Sequence, residues 1–87
     1  MKIKDGFILR EVAGRFIVVA VGSAVKEFNA IINLNETGAF MWRMLEKGAT
    51  EQEIIDAILN EYEVDAEIAE RDVKKFTKTL IEANLIK

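Results

Sequence analysis

The spacing of hydrophobic residues along this 87-residue chain changes rhythm once, near Asn35. Before that point β-branched and aromatic residues dominate. Phe7-Ile8-Leu9-Arg10-Glu11-Val12 predicts a strand, and Ala13-Gly14 a tight turn. Phe16-Ile17-Val18-Val19-Ala20-Val21 predicts a second strand, apolar enough without interruption to be buried on both faces. Gly22-Ser23-Ala24 breaks it. Phe28 to Leu34 reads as a third strand, with Phe28, Ala30, Ile32 and Leu34 on one face and Asn29, Ile31 and Asn33 on the other. The short connections predict an antiparallel meander with the second strand central.

Beyond Asn35 the period is helical. Asn35 is placed to cap a helix that carries Phe40, Met41, Trp42, Met44 and Leu45 and stops at Gly48. Thr50 and Glu53 have the spacing of a capping box, opening a second helix with Ile54, Ile55, Ile58 and Leu59 on one stripe and an end near Tyr62. Asp65 caps a third, whose buried stripe is Ile68, Ala69, Val73, Phe76 and Leu80; Asn84 suits the left-handed closing position, with Leu85 folding back. The expected architecture is α+β and winged-helix-like: an N-terminal three-stranded antiparallel sheet followed by three helices, in a single domain over 1–87.

Composition narrows the chemistry. There is no His or Cys, and Ser23 is the only serine. Imidazole and thiolate metal sites, Ser-His-Asp triads and Cys-His dyads are therefore excluded. The five glycines never cluster into a phosphate loop. The acidic run through the second helix and the loop after it contains no carboxylate pair set up for acid–base work. The expectation is a binding module and not an enzyme, with no cofactor and no metal. The uncharged run Phe16–Val25 is far shorter than the roughly 20 residues of a membrane helix, and charges before it spoil a signal-peptide reading. The chain reads as cytoplasmic and unprocessed, with no membrane partner.

Two surfaces stand out. In a meander the third strand is an edge, and this one lacks proline and carries Ile31 on its open face; such an edge suits strand addition by a peptide, the alternative being cover from the third helix or a second copy. The third helix displays Arg71, Lys74, Lys75 and Lys78 on one arc, with Glu82 among them. A net charge of −3 argues against polyphosphate as its target. A solvated face or an acidic partner remain, and a winged-helix nucleic-acid binder is the rival class.

Leu34-Asn35-Glu36-Thr37-Gly38-Ala39-Phe40-Met41-Trp42, followed by Leu45, Gly48, Thr50, Leu59, Tyr62-Glu63-Val64-Asp65, Asp72-Val73, Phe76 and Leu85-Ile86, resembles the PqqD-like family. That family is named for synthesis of pyrroloquinoline quinone, and its members are also called precursor-peptide recognition elements of ribosomally made, modified peptides. The resemblance spans roughly residues 7 to 87. It implies a non-catalytic domain that binds a precursor's leader peptide as an added strand and presents it to a modifying enzyme, commonly a radical S-adenosylmethionine enzyme. The implied strand is Glu27, Phe28, Asn29, Ala30, Ile31, Ile32 and Asn33. The implied helical wall is drawn from Ile68, Arg71, Asp72, Lys75, Phe76 and Thr79, with the flank that faces the peptide left open. The chain is expected to be a monomer or weak homodimer.

Overall fold

The computed structural model describes residues 1–27 and 31–87. Strands β1 (Phe7–Val12), β2 (Arg15–Ala20) and β3 (Ile32–Leu34) form an antiparallel sheet in that order, with a short helix α1 (Ala24–Glu27) between β2 and β3. Three longer helices follow: α2 (Glu36–Lys47), α3 (Glu51–Glu61) and α4 (Ala66–Glu82).

The β1–β2 hairpin pairs Phe7 with Ala20 and Val12 with Arg15. That leaves Ala13 and Gly14 as a two-residue loop, at φ 52 and 77. Two successive positive φ values match the right-handed twist of the strands. At the other end of the hairpin Gly6 takes φ +97, and a Cβ there would lie 2.7 Å from the Ala24 Cβ, so the glycine lets α1 close over the start of β1.

The sheet is covered on one side. Phe7, Leu9, Val18, Ile32 and Leu34 point into a core built with Trp42, Leu45, Ile54, Ile58, Val73 and Leu80. Phe16 shares that side, its ring 5.6 Å from the Arg43 guanidinium of α2. Among the β2 residues only Val18 is buried. The expectation of a central strand buried on both faces is therefore corrected: among the described residues, helices pack on one face only.

Three further corrections concern the elements. Of the third strand expected over Phe28–Leu34, the described residues show Ile32–Leu34 paired and Ile31 outside the strand; Glu27, expected to open the peptide-binding strand, ends α1, while Phe28, Asn29 and Ala30 lie outside the described residues. Ile68 is 38% exposed, and buried Thr77 takes a place on the α4 stripe, its hydroxyl donating to the Lys74 carbonyl at 3.2 Å. Asp65 occupies the N-cap position of α4 without a side-chain hydrogen bond to it.

The other caps form as the spacing predicts. Asn35 Oδ1 accepts from Gly38 N at 2.7 Å. Thr50 and Glu53 exchange both bonds of a capping box, at 3.1 and 2.9 Å. Asn84 at φ 63 closes α4, with its N–H donating to Ile81 and that of Leu85 to Leu80, so these two carbonyls of the last turn are met. The chain ends then tie together: Ile3 bridges Ile86, Lys4 N donates to Leu85 O, and buried Ile3 joins the core. The amphipathic periods give no hint of this last feature, because the segment is too short to show one.

A cleft beside the third strand

Order β1-β2-β3 leaves one side of β3 without a strand partner. Among the described residues that side makes no backbone hydrogen bond to another segment. Directly beside it lies a cleft of about 580 Å³. β3 contributes Ile32, Asn33 and Leu34. The opening turns of α2 contribute Asn35, Thr37, Gly38 and Met41. The far wall is α4 and its C-cap, through Asp72, Lys75, Phe76, Thr79, Leu80 and Ala83, and Leu85 closes one end. The α4 positions are spaced 3, 4, 7, 8 and 11 residues from Asp72, which places them on one face of the helix.

The motif Leu34 to Trp42 explains how the cleft is held. The Asn35 cap fixes where α2 begins. Gly38 lets that first turn lie against the strand: a Cβ on Gly38 would stand 3.1 Å from Asn35 Oδ1 and 3.4 Å from the Leu34 Cβ. Trp42, fully buried, anchors α2 from behind, and its Nε1 has no hydrogen-bond partner among the described residues. These residues are architecture; the lining is mostly other side chains.

Chemically the cleft is an apolar trough with polar margins. Ile32, Leu34, Met41, Phe76 and Leu80 supply the floor and walls. Lys75 and Asp72 bring one charge of each sign to the rim. Asp72 lies 3.4 Å from Arg71, whose guanidinium points to solvent. Lys75 has no ion pair among the described residues. The neighbouring Lys74 is engaged by Glu70 at 2.8 Å, an i,i+4 pair that holds the Glu70 carboxyl below its usual range and the Lys74 amine above it. No group of three carboxylates that could hold a metal ion occurs among the described residues. None of their helices is long and apolar enough to cross a membrane.

Of the residues expected at the site, Ile32, Asn33, Asp72, Lys75, Phe76 and Thr79 line this cleft together. Ile31 immediately precedes β3 and is 61% exposed. Arg71 and Ile68 lie elsewhere: Ile68 borders a shallow depression at the α3–α4 corner with Glu63, Val64 and Asp65. The flank of α4 that faces this cleft carries Asp72, Phe76 and Thr79. Sequence reasoning missed Leu34, Asn35, Thr37, Gly38, Met41, Leu80, Ala83 and Leu85. Leu80 and Ala83 continue the spacing from Asp72; Asn35 and Met41 read from the sequence as cap and helix residues, and no local pattern marks Thr37 and Gly38 as cleft-lining.

The family profile for coenzyme PQQ synthesis protein D (PqqD) matches residues 15–86. Among solved structures, the fold resembles TbiB1, determined in complex with the TbiA(β) leader peptide, with TM-score 0.79 and 29% identity over 100% of this chain and 95% of that one. It also resembles lasso peptide synthetase B1 complexed with the leader peptide, with TM-score 0.75 over 97% of this chain and 93% of that one; at 20% identity this likeness is one of fold. No curated protein matches the sequence significantly. A profile match over residues 15–86, from β2 to the end of the helices, places the chain in the PqqD family.

Proposed function

We propose that this chain is a leader-peptide recognition domain. It binds the leader segment of a ribosomally made precursor by adding it as a strand to the open side of β3, and presents it to a modifying enzyme. The observation that carries this reading is the apolar cleft between the unpaired β3 edge and the Asp72–Ala83 face of α4. An extended peptide placed there pairs its backbone with β3 and sends alternate side chains towards Phe76, Met41 and Leu80. The likeness to TbiB1, determined with a leader peptide, supports the same reading.

The domain takes no part in bond making or breaking: it has neither His nor Cys, and among the described residues the charged side chains at the cleft are one lysine and one aspartate at the rim. In this reading the whole of 1–87 is one recognition domain, working in the cytoplasm as a monomer or weak dimer, with a radical S-adenosylmethionine enzyme as the partner the family suggests. Titration calorimetry with the leader of the nearest encoded precursor peptide tests it. The expected dissociation constant is on the order of micromolar, since a short strand edge and two or three apolar side chains must offset association costs of at least about 4 kcal/mol. Absence of binding at millimolar peptide would defeat the reading.

A further inference from the structure

The sheet has a second side that the cleft does not use. Strand alternation turns Ile8, Arg10 and Val12 of β1 and Arg15, Ile17 and Val19 of β2 away from the core. The register sets Ile8 against Val19 and Arg10 against Ile17. None of these four aliphatic side chains packs on the hydrophobic core, and Ile8 and Val12 are 37% and 53% exposed. Neither arginine has an ion pair among the described residues, and the β1 carboxylate, Glu11, alternates to the other side. A chain of net charge −3 therefore carries a positive, aliphatic surface on the outside of its sheet.

We infer that this outer side docks the enzyme that acts on the bound peptide, through a patch on that enzyme with exposed aliphatic side chains bordered by carboxylates. The inference rests on the peptide-binding reading. Charge selects the partner. A second copy applied to this surface brings arginines against arginines, and a net charge of −3 opposes long-range attraction to an extended anionic surface such as a membrane, whereas a few carboxylates on a protein partner need only the local arginines. Position adds a second argument. A peptide paired to β3 becomes a fourth strand of the same sheet, so every other peptide side chain emerges on the outer side, level with Asn33. An enzyme docked there meets the peptide directly, while α4 holds the opposite side chains.

The probe is the peptide-modifying enzyme encoded nearest to this chain, purified and titrated with the chain in the presence of leader peptide. Two double variants are compared with the wild type: Arg10→Glu with Arg15→Glu, which changes only exposed charge, and Ile8→Thr with Ile17→Thr, which keeps β-branching. Each is expected to weaken enzyme binding at least tenfold and to leave leader affinity within about twofold. Unchanged enzyme affinity in either variant overturns the inference, as does a wild type that binds leader but not the enzyme; in both cases the peptide reading stands. A wild type that binds no leader defeats that reading instead. Concentration-dependent dimerisation, or binding to phosphatidylglycerol vesicles, that the same substitutions abolish gives the surface to a second copy or a membrane and also overturns the inference.

Discussion

Ala13 holds φ 52 beside Gly14 at φ 77, a conformation that disfavours a Cβ by roughly 1–2 kcal/mol. Asparagine tolerates it better, and Asn-Gly is the preferred pair for such loops. Ala13→Asn is expected to stabilise the chain by about 0.5–1 kcal/mol, seen as a rise of a few degrees in thermal midpoint by circular dichroism; a fall would mean that the hairpin loop is not as described. Trp42 acts in the opposite direction. Truncating a fully buried tryptophan costs about 3–5 kcal/mol, comparable with the total stability of a small domain, so Trp42→Ala should be largely unfolded at 37 °C. A folded Trp42→Ala chain with lost peptide affinity would place that residue in the site. At the cleft rim the two basic neighbours separate cleanly. Lys75 lines the cleft, while Arg71 points to solvent beside Asp72. Lys75→Glu should weaken an acidic leader several-fold and Arg71→Glu hardly at all, both with unchanged melting. Equal effects would remove any local role for Lys75.

The elements show which parts of the fold local patterns can reveal. The hairpin, three long helices, the Asn35 cap, the Thr50–Glu53 box and the Asn84 closure are all set by residues within a few positions of one another, and each appears where the spacing places it. The misses are questions of what packs on what. β2 is apolar from Phe16 to Ala20, yet among the described residues helices cover only one of its faces. Ala24–Glu27 is a four-residue helix, too short to register as a period, and it ends before the shortened β3. Ile68 fits the α4 period but lies beyond the core at the α3–α4 corner. The candidate site was half legible for the same reason: helical spacing groups Asp72, Phe76 and Thr79, but only the position of β3 selects their flank. That grouping yields a test at this scale. Thr79→Trp places a large ring in the trough without touching the buried stripe, and should reduce leader affinity at least tenfold with the fold retained. Undiminished binding would put the peptide elsewhere.

Charge belongs to the whole molecule. Net −3 opposes long-range attraction to polyphosphate, while a peptide carboxylate needs only a local cation such as Lys75. Raising salt from 50 to 200 mM should weaken leader binding only a few-fold, because partly exposed pairs contribute about 0.2–1 kcal/mol each. A nucleic-acid binder with six or more phosphate contacts loses roughly a thousandfold over that change. In the proposed binding mode the leader is a fourth strand on β3. A backbone N-methyl scan of the leader peptide, read by titration calorimetry, addresses it without altering the protein. An added strand turns alternate N–H groups towards β3 and the others to solvent. Strand addition predicts a two-residue period, with methylation at every second position weakening binding at least tenfold and the intervening positions nearly silent. A three-to-four-residue period, as for a helix laid in the cleft, or a uniform response along the peptide, would contradict it.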